Sequence, residues 1–200
     1  MPESKSVRFK RYMKIMKKIN SYKNNIRIEG ERIYLRPMAL SDAQRHYVTW
    51  LNDREVNQYL ESRFEKHTLV SLRKYIKKVL VDHDSIFLAI VRKDKNQHIG
   101  NIKVGPIDWH HLRGDIGIMI GDKKSWGRGF ATEAIKLVSR YCFNELKLHK
   151  LTAGAYDANA GSIKAFLKAG FVKESRLRGH FISDGKYTGG ILLGMINKNK

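Results

Sequence analysis

The chain has 200 residues, of which 42% are hydrophobic and 10% aromatic. This length and composition are typical of a globular domain with a proper core, and they exclude an intrinsically disordered protein. With 39 basic and 19 acidic residues, the formal net charge is +20, which favours anionic partners such as nucleic acid, a membrane surface or a phosphorylated small molecule.

The cysteine content and the lack of long apolar runs further narrow the class of protein to which the chain can belong. The single cysteine, Cys142, excludes an internal disulfide, and its place on the apolar side of a predicted helix indicates a core residue. No apolar run reaches about 18 residues, so no membrane-spanning helix is predicted. The N-terminus lacks the apolar core of a signal peptide. We therefore expect a cytoplasmic protein, and we expect no metal site.

Residues 1–25 differ in composition from the rest of the chain. Between their lysines and arginines, apolar residues recur at intervals of three and four, namely Phe9, Tyr12, Met13, Met16 and Ile19. This spacing predicts a basic amphipathic helix. Such a helix can bind RNA or an acidic membrane surface, or it can pack on its own domain or on a second subunit. We therefore expect an N-terminal extension, residues 1–25, followed by one domain at residues 26–200.

The next eighty residues predict strands, then helices, then a hairpin. The predicted elements are two short extended pieces within Ile26–Met38, helices at Ser41–Leu51, Glu55–Leu60 and Leu69–Val81, and strands at Ser85–Arg92 and His98–Ile107. Ser41 and Asp42 are residues that commonly cap helices, and Thr68 is placed to cap the third helix. The polar turn Asp94–Gln97 joins the two later strands, which indicates an antiparallel hairpin.

The stretch Asp115–Ala134 predicts a strand, a glycine loop and a helix. Isoleucines alternate with other residues over Ile116–Ile120, which is the period of a strand. The loop Gly121–Gly129 follows, and it opens an apolar pattern at helical spacing. Such a loop directs several backbone N–H groups and the positive end of the helix dipole at one spot, which suits phosphate. Gly127 and Gly129 let the backbone approach that phosphate closely.

This loop departs from two common phosphate-binding motifs. The dinucleotide fingerprint needs a third glycine where the chain has Thr132, and the Walker loop needs Gly-Lys-Ser/Thr where the chain has Gly129–Ala131. The remaining pattern is a basic or polar residue followed by x-x-Gly-x-Gly, and Lys124–Gly129 fills it. A purely structural turn stays open as an alternative.

The last fifty residues complete the predicted order of elements. They predict a strand at Leu151–Tyr156, a helix at about Ala160–Ala169, and strands at Phe171–Arg178 and Gly190–Ile196. The resulting order is β-α-α-β-β-β-α-β-α-β-β. Because short turns join the middle strands, this order indicates a mixed α/β fold with a mostly antiparallel sheet of about seven strands flanked by helices.

Motifs, their order and their spacing resemble the GCN5-related N-acetyltransferase (GNAT) superfamily over about residues 26–196. Lys124–Gly129 resembles its acetyl-CoA loop, and Asn159-x-x-Ser162 with Phe166–Phe171 resembles its N-x-x-S/A…G-F segment. The remaining motifs resemble the ribosomal-protein N-terminal acetyltransferase-like branch. They are Leu35–Pro37, Trp50–Asp53, Leu60–Arg63, Glu174 with Arg178, and the turn Gly185–Tyr187. The resemblance implies the GNAT acyl-CoA N-acyltransferase fold and an acetyl-CoA-dependent N-acetyltransferase.

The resemblance also implies where acetyl-CoA binds. The pantetheine is expected between two splayed strands, on the backbone of Gly117–Ile120. The pyrophosphate is expected on backbone N–H groups of the glycine loop, with Lys124 or Arg128 adding charge. The full set of expected contacts is Gly117, Ile118, Met119, Ile120, Lys124, Ser125, Trp126, Gly127, Arg128, Gly129, Phe130, Ala131, Asn159, Ser162, Phe166 and Lys168.

Direct acetyl transfer needs a neutral amine, a polarised carbonyl and a proton for the departing thiolate. Many superfamily members supply that proton from a tyrosine four residues before the glycine of G-F, but this chain has Phe166 there. The next hydroxyl on that face is Ser162, which we predict as the acid, with cofactor binding or helix capping as the alternative. The candidates for the base are Glu174, His180, Glu133 and Glu61. Loss of the proton to water, with no dedicated base, stays open.

Charge and resemblance both bear on the acceptor amine. A +20 protein repels cationic polyamines, whereas a nucleotide-linked amino sugar carries a diphosphate that suits this charge. Trp50–Arg63 also resembles acetyltransferases associated with surface-polysaccharide sugars. We therefore expect a small anionic amine such as a nucleotide-linked amino sugar, with the N-terminus of a ribosomal protein as the alternative. A homodimer and a non-catalytic nucleic-acid-binding protein on the same scaffold also stay open.

Overall fold

Eight β-strands form one sheet in the computed structural model, which describes residues 26–183 and 185–198. The strands are β1 (Ile28–Glu29), β2 (Ile33–Pro37), β3 (Ile86–Arg92), β4 (Gln97–Asp108), β5 (Arg113–Ile120), β6 (Lys150–Tyr156), β7 (Val172–Ser183) and β8 (Lys186–Ile196). Their order across the sheet is β1-β2-β3-β4-β5-β6-β8-β7. All neighbours are antiparallel except β5 and β6. The predicted mixed fold is confirmed, and β1 and β2 are the two extended pieces predicted within Ile26–Met38.

Five α-helices connect the strands of the described chain. They are α1 (Arg45–Asn52), α2 (Arg54–Asn57), α3 (Leu69–Val81), α4 (Phe130–Asn144) and α5 (Ala160–Ala169). Single 3₁₀ turns occur at Leu40–Asp42, Glu61–Phe64 and Lys123–Ser125. Within residues 26–183 and 185–198, no helix is both long enough and apolar enough to cross a membrane.

Two apolar clusters lie on opposite faces of the sheet. On β5 the side chains alternate, so that Ile116 packs in the cluster that contains α4 and α5, whereas Met119 packs with α1 and α3. Cys142 is fully buried in the first cluster, and burial raises the pKa of its thiol. The predicted core role of this cysteine is therefore confirmed.

The helix boundaries agree with the sequence in one place and differ in another. The Thr68 hydroxyl accepts a hydrogen bond from the Ser71 amide, so α3 begins as predicted. The expected helix start at Ser41 and Asp42 is wrong, because α1 begins only at Arg45. The carboxylate of Asp42 instead accepts two hydrogen bonds from Arg36, at 2.7 and 2.6 Å. The same carboxylate also accepts from the Ala39 amide at 2.8 Å, so Asp42 joins the 3₁₀ turn to Arg36 on β2 and does not begin α1.

Two further observed boundaries differ from the predicted ones, because strand pairing and turns depend on contacts outside the local sequence pattern. The helix predicted at Glu55–Leu60 is the shorter α2, and a 3₁₀ turn follows it at Glu61–Phe64. The strand predicted at Phe171–Arg178 extends to Ser183, because β8 pairs with it along that length. The basic helix predicted within residues 1–25 lies outside the described residues.

Candidate active site

Strands β5 and β6 separate and leave a cleft through the sheet. Their parallel pairing is limited to Arg113–Asp115 against Lys150–Thr152. Beyond that point β5 pairs only with β4, and β6 pairs only with β8. The cleft has a volume of about 1260 Å³ and reaches from the glycine loop to the residues around Tyr59 and Glu61. This is the V-shaped opening that the resemblance implies for pantetheine.

The glycine loop closes one end of the cleft with the backbone shape that a phosphate site needs. Gly127 and Gly129 have φ angles of +70° and +82°, a region that side chains rarely adopt. Gly129 is the N-cap of α4, so the first amides of that helix have no partner within the helix. Glu133, in the first turn, is the acidic residue near this positive helix end. The loop therefore presents free donors to an anion.

Side chains around the loop hold it in this shape. Asp122 accepts hydrogen bonds from the Ser125 hydroxyl at 2.6 Å and from the Lys124 amide at 3.3 Å. Lys123 bridges the carboxylates of Asp53 and Glu55 at 2.8 Å each. The loop is thus fixed to α2 before any ligand arrives, which reduces the entropy cost of binding.

Every expected acetyl-CoA contact except Lys124 and Arg128 lines the cleft. Those two side chains are exposed outside it. The backbone carbonyl of Arg128 accepts a hydrogen bond from Arg32, which joins the loop to the start of β2. Backbone amides are therefore the donors that the loop directs into the cleft, and the roles expected of Lys124 and Arg128 stay predictions. The Ser125 hydroxyl is already bonded to Asp122, so it serves the loop.

Ser162 lies in the cleft on the first turn of α5. Its backbone amide donates to the Asn159 side chain at 3.1 Å, so Asn159 caps this helix. Phe166 lies one turn later, is 2% exposed, and packs edge-on against Phe171. The cleft therefore has a serine hydroxyl at one position and a phenyl ring, without a donor, at the next.

Glu133 is occupied by structural hydrogen bonds. Its carboxylate accepts from the backbone amides of Arg32 and Ile33 at 2.8 and 3.3 Å and from the Arg32 guanidinium at 3.1 Å. A carboxylate with these partners fastens α4 to the start of β2, and both of its oxygens already accept hydrogen bonds. We therefore withdraw Glu133 as a candidate base.

This structural role predicts a loss of stability when the carboxylate is removed. Glu133→Ala leaves two backbone amides without an acceptor, and we expect the free energy of unfolding to fall by about 1–3 kcal/mol. Denaturant unfolding monitored by circular dichroism measures this. Glu65→Ala, at an exposed position before α3, provides the comparison. A variant as stable as the parent would contradict the structural assignment.

Glu61 lies at the other end of the cleft, on the face opposite α4 and α5. Its carboxylate accepts a hydrogen bond from the Tyr156 hydroxyl at 2.7 Å, and Arg63 donates to the same hydroxyl at 2.8 Å. The pKa of Tyr156 is raised by burial and by this bond to Glu61. Phe181 stacks on Tyr156 with ring centroids 4.0 Å apart. Of these four side chains Glu61 lines the cleft, and we call the end of the cleft beside them its acceptor end.

The structure does not bring His180 and Glu174 into the cleft. His180 is exposed on β7, with its ring edge-on to Phe181. Both carboxylate oxygens of Glu174 lie 2.8 Å from the Lys150 ammonium. The spacing of these residues in the sequence gave no sign of either arrangement.

Sequence reasoning missed Asp115, the residue at which β5 and β6 part. It is half-buried, and its carboxylate accepts a hydrogen bond from the Thr152 hydroxyl at 2.7 Å. Burial raises the pKa of Asp115, although the bond to Thr152 opposes this. The available signal was an acidic residue at the head of an otherwise apolar strand.

Comparison with known proteins agrees with this geometry. A family model described as an acetyltransferase (GNAT) domain matches residues 32–172. The probable N-acetyltransferase YjcK of Bacillus subtilis is 28% identical over 85% of this chain and 97% of its own length. A Vibrio cholerae spermidine N-acetyltransferase, solved with CoA and spermine, superimposes with a TM-score of 0.75 at 22% identity, over 84% of this chain and 97% of that one. The ribosomal-protein-S5-alanine acetyltransferase of Vibrio fischeri superimposes with a TM-score of 0.72 at 21% identity. The superposition covers 88% of this chain and 98% of that one.

Proposed function

This chain belongs to the GNAT acetyltransferase family and is an acetyl-CoA-dependent N-acetyltransferase, and we propose that its acceptor is a small anionic amine such as a nucleotide-linked amino sugar. The non-catalytic alternative is therefore not retained. The observation that carries the proposal is the set of exposed cations beside the acceptor end of the cleft, together with the net charge of +20.

These cations lie on the hairpin of β7 and β8. Leu177 pairs with Gly190 and Phe181 with Thr188, so three residues of β7 bulge out opposite the single Gly189. Such bulges redirect side chains and are frequent beside active sites. The bulge contains Arg178 and His180, and both are exposed.

The surroundings of this hairpin suit a diphosphate bearing a sugar. Arg176 and Lys186 are exposed on the same hairpin, and Phe181 connects it to Tyr156 at the cleft. Guanidinium groups bind phosphate oxygens well, and a nearby ring gives a flat surface for a sugar or a base. A diphosphate on the hairpin and an amine at the cleft is the arrangement we propose.

For the transfer itself we propose roles for two parts of the chain. Acetyl-CoA, when bound, supplies the thioester that the amine attacks. The backbone of Gly117–Ile120 and the glycine loop hold it in the cleft. The Ser162 hydroxyl donates a proton to the departing thiolate. Water around the open end of the cleft takes the proton that the acceptor ammonium loses and returns a proton to this serine.

The acceptor proposal is tested by thiol release from acetyl-CoA with three amines in parallel. They are a uridine-diphosphate-linked amino sugar, spermidine, and a peptide with the N-terminus of a ribosomal protein. We expect kcat/KM to be highest for the sugar nucleotide and to fall with added salt, because screening weakens charge attraction. A preference for spermidine would overturn the proposal.

The hairpin is tested with Arg178→Gln. We expect KM for the sugar nucleotide to rise about tenfold or more, with acetyl-CoA affinity unchanged, because one phosphate contact is lost. Arg73→Gln, at an exposed position on α3, is the matched control and should change neither value. Equal effects of the two substitutions would point to net charge and not to a binding contact.

A protein N-terminus is a second candidate acceptor, and Glu61 favours it. Its side chain is 70% exposed at the acceptor end of the cleft. An exposed carboxylate there attracts an α-ammonium group. In the same assay, turnover with the ribosomal peptide that is lost in Glu61→Gln would support this candidate over the sugar nucleotide.

A further inference from the structure

The arginine immediately before β2, Arg32, is held against the glycine loop by three contacts. Its Nε donates a hydrogen bond to the Glu133 carboxylate at 3.1 Å, and its Nη1 donates to the Arg128 carbonyl at 2.8 Å. The guanidinium carbon lies 5.0 Å from the centroid of the Phe130 ring, within the range of a cation–π contact. These contacts order a long side chain before any ligand arrives, which reduces the entropy cost of binding through it.

The remaining nitrogen of this guanidinium, Nη2, lies beside the free amides of the loop. A Cβ atom built on Gly129 would be 3.2 Å from Nη2. Gly129 is the N-cap of α4, so the amides without a partner in the helix begin at the next residue. Within residues 26–183 and 185–198, the hydrogen bonds of the Arg32 side chain come from Nε and Nη1, which leaves Nη2 open. Because Arg32 also lines the cleft, Nη2 and the loop amides can bind one anion together.

The other basic side chains are less well placed for an anion at the loop. Those of Lys124 and Arg128 are exposed and do not line the cleft. Lys136 lines it from α4, but it lies six residues after Phe130, or about 9 Å along the helix. The remaining basic residues that line the cleft lie further along α4 or on α5, namely Arg140, Lys164 and Lys168. Among the described residues, Arg32 is therefore the cleft-lining cation that contacts the loop.

The charges around the first residue of α4 also favour an anion. Guanidinium carbons lie 5.0, 5.4 and 5.8 Å from the centroid of the Phe130 ring, and they belong to Arg32, Arg92 and Arg128. Carboxylates pair with two of these groups, Glu133 with Arg32 and Asp94 with Arg92. In the described part of the chain, the positive charges at this helix end thus exceed the negative ones, and the helix dipole adds to the excess.

We propose that Arg32 donates from Nη2 to a phosphate group of CoA at the glycine loop, and that it thereby makes the site select CoA over pantetheine. Guanidinium–phosphate hydrogen bonds are charge-assisted and stronger than those between neutral groups. CoA offers this chemistry twice, in its pyrophosphate and in its 3′-phosphate. The inference rests on the use of acetyl-CoA and not on the acceptor proposed above.

The test is isothermal titration calorimetry of Arg32→Gln with three ligands. CoA has both phosphate groups, dephospho-CoA lacks the 3′-phosphate, and pantetheine, titrated at millimolar concentration, has neither. We expect the Kd of CoA to rise by about 10- to 100-fold and the Kd of pantetheine to stay unchanged, because a hydrogen bond to a charged group is lost only with CoA. An equal loss with dephospho-CoA assigns the contact to the pyrophosphate. A loss with CoA alone assigns it to the 3′-phosphate.

Two controls separate this contact from a structural role and from net charge. The backbone amide of Arg32 still bonds Glu133 in Arg32→Gln, so the variant should fold, and its melting temperature verifies this. Arg113→Gln, at the far end of β5 from the loop, removes the same charge and breaks a pair with Asp108. It should bind all three ligands like the parent.

Salt provides a second readout of the same contact. The Kd of CoA should rise with added salt in the parent, and it should rise less steeply in Arg32→Gln, because screening acts on the charge that was removed. Parent affinity for CoA in Arg32→Gln would overturn the proposal. So would equal losses with CoA and pantetheine, or an equal loss in Arg113→Gln.

Discussion

Replacing Gly127 or Gly129 by valine is expected to weaken acetyl-CoA binding by at least about 100-fold, or about 2.7 kcal/mol. Both residues have positive φ angles, and a Cβ on Gly127 meets no protein atom within 4 Å. At Gly127 the added side chain therefore enters the space where pyrophosphate is expected, and at Gly129 it also meets the Arg32 guanidinium at 3.2 Å. Isothermal titration calorimetry with acetyl-CoA measures the loss.

Valine at a positive φ also strains the backbone, so the effect needs a matched control. Gly185 has a φ angle of +75° with open space around it, in the turn between β7 and β8. Gly185→Val carries similar strain away from the loop and should bind acetyl-CoA normally. If both loop variants bound acetyl-CoA with the parent affinity, the loop would not be the pyrophosphate site.

Ser162→Ala is expected to lower kcat by about 10²-fold or more, with KM for acetyl-CoA little changed. The hydroxyl lies in the cleft, and the neighbouring Phe166 has no donor to replace it. Steady-state thiol release separates kcat from KM. Asn159 already caps α5 through the Ser162 backbone amide, so removing the hydroxyl should not unfold the helix.

Ser162→Thr keeps the hydroxyl and is the companion variant. We expect it to retain most of the turnover, since threonine offers the same donor from the same position. A Ser162→Ala enzyme with raised KM and normal kcat would make the serine a binding residue. Full activity in Ser162→Ala would mean that water, and not Ser162, protonates the departing thiolate.

Features set by a few contiguous residues could be read from the sequence. The loop Lys124–Gly129 combines glycines at positive φ with a helix N-terminus, and both are local properties of the chain. Helix α3 follows from apolar residues at helical spacing behind the cap Thr68. Most of the order of elements and the backbone shape of the glycine loop were predictable for this reason.

Features set by pairing between distant segments could not be predicted in this way. Asp42 is of a residue type that commonly caps helices, but both of its carboxylate oxygens accept hydrogen bonds from Arg36. Glu133 is in the first turn of a helix beside the cleft, yet amides from β2 occupy it. Local propensity gives the capacity of a carboxylate to accept hydrogen bonds, while the partner is decided by the sheet.

The sequence by itself determined the family, the order of elements and the shape of the glycine loop, because these depend on motif, period and turn chemistry. The tertiary structure alone decided which partners each carboxylate has. Thr152 reaches Asp115 from 37 residues away, while Lys150 neutralises Glu174. The reason is physical: the proton affinity of a carboxyl group depends on its burial and on neighbouring charges and donors, and packing of distant strands sets all three.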